Sequence, residues 1–301
     1  MLERLVFASL QEQRAARRWK IFWRCTWLVL VLAGLWWLGR DMSSAALNKP
    51  HTAVVNIKGP IAGDANANAE FVIAAMRSAM EDPASRALVL LINSPGGSPV
   101  QAGMINDEIV RLKAQHQKPI YAVVEETCAS AAYYIAAAVD EIFVDKASIV
   151  GSIGVLMDGF GFTEAMDKLG VERRLLTAGS NKGMLDPFSP LDDEQRAHAQ
   201  AMLDQIHAQF IAVVRAGRGD RLKETEDTFS GLFWTGEQAI AMGLADKYGT
   251  LDRVARDIVK AEELIDYTRS ENMAERFAKR FGAAIGSGAV SALQGAVPSL
   301  R

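Results

Sequence analysis

The sequence is poor in the residues that build disulfide frameworks and metal sites. Its 301 residues include two cysteines, Cys25 and Cys128, and four histidines. Two cysteines cannot form a disulfide scaffold or a cysteine-based zinc site. The patterns H-E-x-x-H, G-x-x-x-x-G-K-[ST] and G-x-G-x-x-G are absent from the sequence, and they are the usual signs of metalloprotease, phosphate-loop and dinucleotide sites. We therefore expect no metal and no cofactor.

An excess of positive charge is also missing. Lys and Arg number 33 against 36 Asp and Glu, which gives a net charge of −3. Nucleic-acid binders are usually basic, so we expect no nucleic-acid partner. Half of the residues are apolar and 23% are charged, as in an ordinary globular protein.

The basic residues that are present concentrate at the N-terminus. Residues 1–24 carry six basic and two acidic residues, and an uncharged apolar run follows from Cys25 to Gly39. Counted from Ile21, the run is interrupted only by Arg24 and approaches the roughly 20 residues that span a bilayer. Five of the six tryptophans mostly flank it, as in an aromatic belt. We interpret residues 1–20 as a cytoplasmic basic segment and residues 21–40 as a transmembrane signal anchor.

A cleaved signal peptide is the alternative for this region, with Ser44-Ala45-Ala46 as the cleavage site. The bulky Trp36-Trp37 pair and the long basic segment favour an anchor instead. In both interpretations the positive charge keeps the N-terminus in the cytoplasm, and everything after residue 40 lies outside.

After a linker at residues 41–50, β-branched runs alternate with helical patterns. Apolar strands that are separated by helices of ten or more residues predict a parallel sheet covered on both faces. The predicted strands are Ala53–Ile57, Ala87–Asn93, Ile120–Glu125, Glu141–Val144 and a short one at Arg174–Thr177. The predicted helices are Ala69–Met80, Val100–Gln115, Ser130–Val139 and Asp192–Arg215.

Two places in this pattern have the residues of a catalytic site. Gly96 and Gly97 follow the most apolar strand, where they form either a tight turn or a backbone oxyanion site. Ser130 precedes a helix, where it is either a nucleophile, with the Ala131 N–H as a second oxyanion donor, or a helix cap. Cys128 is more consistent with a small buried filler than with a thiol nucleophile, because no histidine is near it in the sequence.

A serine nucleophile needs a base, and the four histidines are poor candidates. They lie in the linker, in a polar loop and on one long helix. A lysine replaces histidine when an apolar site keeps its amine neutral, and a hydroxyl orients it better than a carboxylate does. Lys182 lies in a polar loop and Ser152 at a strand edge, and nothing local distinguishes either from an ordinary surface residue.

Taken together, several stretches resemble the signal peptide peptidase A family of membrane-anchored serine peptidases, family S49, in its short single-domain form. They occur in family order over most of residues 51–260. The stretches are INSPGG (92–97), ASAAYYIA (129–136), GSIGV (151–155), GSNKGMLDPFSPL (179–191) and FWTGEQAIAMGLADKYG (233–249).

The resemblance implies a role for each residue that matches these motifs. Ser130 matches the nucleophile and Lys182 the general base, with Ser152 as the hydroxyl that orients the lysine. Gly97 and Ala131 match the oxyanion hole. The family has Gly-Gly after the nucleophile, where this sequence has Ala131-Ala132; we interpret this as a change of specificity.

The resemblance also implies an α/β fold of the crotonase or Clp protease type, a ββα spiral, over residues 51–265. The mixed, Gly-rich composition of the remainder predicts a tail at 266–301 that is flexible or an interaction segment. The resemblance further implies a homo-oligomeric endopeptidase on the outer, periplasmic face of a bacterial cytoplasmic membrane. Its substrates would be hydrophobic peptides such as remnant signal peptides. Two alternatives stay open: a non-catalytic scaffold or chaperone for hydrophobic peptides, and a crotonase-type acyl-CoA enzyme.

Overall fold

The computed structural model describes residues 17, 19–20, 22–34 and 49–270. The other predicted positions lie outside the described residues. They are nearly all of the basic segment 1–20, the end of the anchor at 35–40, residues 41–48 of the linker and residues 271–301 of the tail.

The N-terminal unit comprises residues 1–50. Within it, residues 22–34 are helical, and their apolar side chains, including Trp27 and Leu28, are exposed. No helix in the described part of the chain has both the length and the apolar character that crossing a bilayer requires.

The second unit, from residue 51 onward, is built on one mixed sheet. The strands are β1 (His51–Lys58), β2 (Ser85–Ser94), β3 (Ile120–Ala129), β4 (Glu141–Val144), β5 (Ile149–Gly151), β6 (Phe233–Thr235), β7 (Lys247–Tyr248) and β8 (Leu264–Asp266). Their order in the sheet is β6-β5-β3-β2-β1-β8, with β4 beside β3 and β7 beside β4. Every pair is parallel except β5 with β6.

Helices connect the parallel strands, because a parallel crossover needs a dozen or more residues. They are α1 (Ala69–Glu81), α2 (Pro99–Gln115), α3 (Ala131–Ala136), α4 (Thr163–Leu169), α5 (Asp193–Arg218), α6 (Gly236–Ala241) and α7 (Leu251–Arg253), which continues into a π-helical turn at Val254–Val259.

Alternate residues of each central strand pack on opposite faces of the sheet, as the two-residue period of a strand requires. In β1, Ala53, Val55 and Ile57 belong to the larger core cluster. Val54 belongs to a smaller cluster, which also holds Val254 at the start of the π-helical turn. The sheet is therefore buried on both faces, which confirms the prediction from the continuous apolar runs.

The predicted strand at Arg174–Thr177 is wrong. Residues 171–177 have no regular secondary structure, and all of their side chains are exposed. A strand needs a neighbour to accept its backbone hydrogen bonds, and among residues 49–270 this run has none.

The body of the protein continues past the predicted boundary at residue 265. The N–H of Tyr267 donates to the carbonyl oxygen of Val54 at 2.8 Å, and the N–H of Asn56 donates to Thr268 Oγ1 at 2.8 Å. The first described residues of the predicted tail are thus bonded to β1.

Residues 154–192, which we call the arm, contain no buried residue. Even α4, which lies within the arm, buries no side chain. Many of the arm's large apolar side chains are exposed, among them Leu156, Phe160, Leu169, Leu176 and Leu191. So many exposed large apolar side chains in one segment are typical of an interaction surface.

Candidate active site

Ser130 lies between the end of β3 and the start of α3, in a strained backbone conformation. Its φ is 53° and its ψ is −124°, a region that serine rarely adopts. Ser130 stands at the N-cap position of α3, as the helix-cap interpretation expects, but its side chain makes no capping hydrogen bond. The backbone N–H instead donates to the carbonyl oxygen of Gly151 at 2.8 Å. Strain that the surrounding structure maintains is typical of functional residues.

The glycine loop after β2 lies directly against Ser130. A Cβ added to Gly96 would lie 2.7 Å from the Cβ of Ser130, and one added to Gly97 would lie 2.2 Å from the carbonyl oxygen of Ile61. Both glycines also have positive φ angles, 106° and 150°. Only glycine fits at either position: Gly96 allows the close approach of this loop to Ser130, and Gly97 allows its close approach to the backbone of Ile61.

Two backbone N–H groups near Ser130 are free to bind an oxyanion. Ala131 is the first residue of α3, where an N–H has no acceptor within the helix. The N–H of Gly97 also finds no acceptor within residues 49–270. Backbone N–H groups that line the same cavity as a nucleophile can stabilise a developing negative charge there.

Ser152 is brought beside Ser130 by strand pairing. Ala129 in β3 pairs with Gly151 in β5. Ser130 directly follows Ala129, and Ser152 directly follows Gly151. Ser152 has a φ of 50°, and its N–H donates to the carbonyl oxygen of Leu232 at 2.8 Å. Both serines are therefore fixed by backbone bonds rather than by their own side chains.

Ser130, Gly97, Ala131 and Ser152 line one cavity of about 1010 Å³. Its remaining walls come mainly from α2, α3, α5 and the start of the arm. The other lining residues are Pro95, Pro99, Val100, Gly103, Met104, Asp107, Tyr134, Gly154, Val155, Leu156, Ile206, His207, Gln209, Phe210, Ser230 and Gly231. Apolar surface exceeds polar surface in these walls, and polar groups lie among it, as in pockets that bind largely hydrophobic ligands.

The fifth predicted site residue, Lys182, is not among the residues that line this cavity. It is exposed and lies on the arm. The structure of one chain therefore brings together four of the five predicted residues, and their catalytic roles stay predictions.

His207 lines the cavity, although its place on a long helix made it a poor candidate for the catalytic base in the sequence. Its Nε2 is 3.1 Å from the carbonyl oxygen of Ile153, next to Ser152. Because a carbonyl oxygen only accepts, Nε2 is the donor, and the bond ties α5 to the loop that carries Ser152. Long-range placement of this kind has no local signal in the sequence.

Cys128 is fully buried, and burial raises the pKa of its thiol far above the usual range. A thiol without access to solvent or to a base is not a nucleophile, which agrees with its interpretation as a filler of the core.

Comparison with known proteins identifies the family. The profile of peptidase family S49 matches residues 112–265, a little over half of the chain. The matched stretch includes Ser130, Ser152 and Lys182. The chain belongs to peptidase family S49.

Two relatives with peptidase or protease names support the S49 assignment. The chain is 30% identical over 193 residues to a protein of Enterococcus faecium named as a signal peptide peptidase SppA, covering 64% of this chain and 56% of that protein. It is 30% identical over 210 residues to a protein of Methanocaldococcus jannaschii named as a protease, covering 68% and 67%. Both relatives are thus named as a peptidase or a protease, in agreement with the family of this chain.

A third relative carries a different name. The chain is 48% identical over 176 residues to the Na(+)/H(+) antiporter NhaA of Brucella melitensis. The matched region covers 58% of this chain but only 24% of that protein. The chain therefore spans about a quarter of this relative and just over half of the Enterococcus one.

Proposed function

We propose that this chain is a serine endopeptidase in which Ser130 forms an acyl-enzyme with a peptide carbonyl. One observation carries the proposal: the strained Ser130 lies in one cavity with the backbone N–H groups of Gly97 and Ala131, and neither N–H has a backbone acceptor among residues 49–270. Membership of a serine peptidase family is consistent with this chemistry.

In the proposed mechanism, the neutral amine of Lys182 takes the proton of the Ser130 hydroxyl as Oγ attacks the scissile carbonyl. The oxyanion accepts hydrogen bonds from Gly97 and Ala131. The protonated amine then returns its proton to the departing peptide nitrogen. A water molecule, deprotonated by the same amine, hydrolyses the acyl-enzyme, and the Ser152 hydroxyl orients Nζ throughout.

Within this proposal, Lys182 enters the cavity from a second copy of the chain. Two features support this. The cavity lacks Lys182 in one chain, and the arm that carries the lysine exposes apolar side chains that need a cover. Docking of the arm of one copy at the cavity of another would bring the Lys182 amine to Ser130 and Ser152.

The nucleophile is tested by intact-mass measurement after reaction with a peptidyl phosphonate. We expect one adduct per wild-type chain and none on Ser130→Ala. Peptide hydrolysis should also be lost in Lys182→Ala. An unlabelled wild-type protein that binds hydrophobic peptides would contradict the proposal and favour a scaffold or chaperone.

The origin of the lysine is tested by mixing the two inactive variants. If Ser130 of one copy pairs with Lys182 of another copy, random mixing of Ser130→Ala with Lys182→Ala gives sites with both residues intact at about a quarter of all sites. We expect about a quarter of the wild-type turnover to return. A mixture that assembles but stays inactive would show that the pair forms within one chain.

We further propose a crotonase- or Clp-like spiral as the class of this fold, supported by the strand and helix alternation. We also propose that residues 21–40 anchor the chain in a bacterial cytoplasmic membrane, with residues 1–20 inside, the body on the periplasmic side and remnant signal peptides as substrates. The helical, apolar residues 22–34 and the apolar cavity support this. Protease treatment of spheroplasts should digest the body and spare the N-terminus.

A further inference from the structure

The cavity around Ser130 contains one carboxylate. Asp107 is the only Asp, Glu, Lys or Arg among its lining residues. It lies on α2, the helix that begins just after the glycine loop.

Asp107 lies on the same cavity-lining face of α2 as residues closer to the glycine loop. Val100, Gly103, Met104 and Asp107 line the cavity with the spacing of one helix face. At 1.5 Å per residue, Asp107 lies about 10 Å beyond Val100 along the axis of α2. An extended peptide advances about 3.3 Å per residue, so this distance corresponds to three or four substrate residues.

The surface between Val100 and Asp107 is apolar. Val100 is 68% exposed and Met104 is 50% exposed, so both side chains are available to a bound chain. A substrate that follows this face meets apolar contacts first and a negative charge afterwards.

The carboxylate of Asp107 has no protein partner within residues 49–270, in contrast to its neighbour. Glu108 is held by Arg77 and Arg111 at 2.7 Å each. Asp107 makes no ion pair or hydrogen bond with those residues. The pKa of the Tyr134 hydroxyl is raised, first by the burial of that hydroxyl and then by the negative charge of Asp107. The backbone of Tyr134 is bonded to α2, because Asn106 Nδ2 donates to its carbonyl oxygen at 2.9 Å. The charge of Asp107 is thus beside Tyr134, in the cavity wall.

We infer that Asp107 is a specificity-determining residue that selects a Lys or Arg side chain in the peptide substrate, three or four residues beyond the position that contacts Val100, with apolar residues between. The inference rests on the proposed peptidase function. A bound peptide covers this face of α2 and strengthens the attraction between the two charges. Because Asp107 is exposed in the free chain, the effect is modest, about five-fold.

The test uses quenched fluorescent peptides with an apolar sequence and one Lys, norleucine or Glu, which is moved one position at a time on either side of the scissile bond. In the full-length protein we expect kcat/KM for Lys to exceed that for the isosteric norleucine about five-fold at one position, with Glu below both. Higher salt should reduce this ratio.

Three variants assign the preference to a residue. In Asp107→Asn the ratio of Lys to norleucine should fall to about one, and in Asp107→Lys it should invert. Asp252→Asn, an exposed aspartate in α7 away from the cavity, should keep the wild-type ratio. An unchanged ratio in Asp107→Asn overturns the inference.

A binding measurement separates this inference from the proposed function. Fluorescence anisotropy with Ser130→Ala compares the same Lys and norleucine peptides without turnover. Tighter binding of the Lys peptide, lost on adding Asp107→Asn, supports the role of Asp107 even if hydrolysis is absent. Equal binding of the two peptides overturns it, whatever the outcome of the nucleophile test.

Discussion

The backbone N–H of Ser130 donates to the carbonyl oxygen of Gly151 at 2.8 Å. The proposed nucleophile is therefore held by the residue that precedes Ser152. This single bond links the end of β3 to the end of β5 and fixes the two hydroxyl-bearing residues with respect to each other. Residues held in this way have little freedom to leave a reactive position.

Gly151→Ala should displace both serines. Gly151 has a φ of 110°, and an added Cβ would lie 3.0 Å from Trp234 Cδ1. A small shift of a nucleophile reduces kcat strongly, so we expect a loss of about ten-fold or more. Steady-state kinetics measures it, and Gly63→Ala, where the new Cβ meets only the end of Gln101 at 3.9 Å, is the matched control. Wild-type kcat in Gly151→Ala would contradict the positioning role.

Gly97→Ala should damage the oxyanion site. Its Cβ would lie 2.2 Å from the carbonyl oxygen of Ile61, so the loop must move and take the Gly97 N–H with it. Loss of one oxyanion donor costs on the order of 10² in turnover. Hydrolysis rates measured beside a thermal melt distinguish this loss from unfolding. A folded variant with normal turnover would remove Gly97 from the site.

Glu108→Gln should destabilise the fold in a pH-dependent way. The hydrogen bond from Arg111, together with Arg77, lowers the pKa of Glu108 from 4.5 to about 2. The lowered value means that this carboxylate stabilises the folded state above pH 4.5 and that the stabilisation is lost as the pH falls towards 2. We expect a loss of about 2 kcal/mol at pH 7, since both arginines are half exposed.

Urea unfolding of Glu108→Gln and wild type at pH 7 and pH 3 measures this difference. The gap in the free energy of unfolding should shrink at the lower pH. Glu70→Gln, an exposed residue in the first turn of α1, serves as the comparison and should change little. A gap that is the same at both pH values would show that the charge of Glu108 is not its source.

Leu176→Glu should weaken assembly without unfolding the chain. Leu176 is 97% exposed on the arm, so it contributes little to the stability of one chain. A charge in the proposed contact between copies should lower the mass measured by light scattering and reduce hydrolysis with it. Ile258→Glu, an exposed apolar residue outside the arm, should keep the mass. Unchanged mass and activity in Leu176→Glu would exclude this part of the arm from the contact.

Most of the regular elements could be predicted because their signals are local. The apolar run at Ala87–Asn93 lies within β2, and Glu141–Val144 coincides with β4. Arg174–Thr177 has similar residues but no neighbouring strand among the described residues. Apolar composition alone does not distinguish a strand in a sheet from an exposed segment that has nothing to pair with.

The sequence by itself determined the alternation of strands and helices and the place of the glycine pair directly after a strand, because these depend on residue type and short spacing. It pointed to Ser130 and Lys182 as candidates only through the resemblance of several stretches to one family. Only the tertiary structure decided that parallel pairing of β2, β3 and β5 gathers Gly97, Ser130 and Ser152 at one end of the sheet. It also decided the positive φ of Ser130, the entry of Asp107 and His207 into the cavity, and the exposure of Lys182 on the arm. Each of these depends on contacts between residues far apart in the chain, which no local pattern encodes.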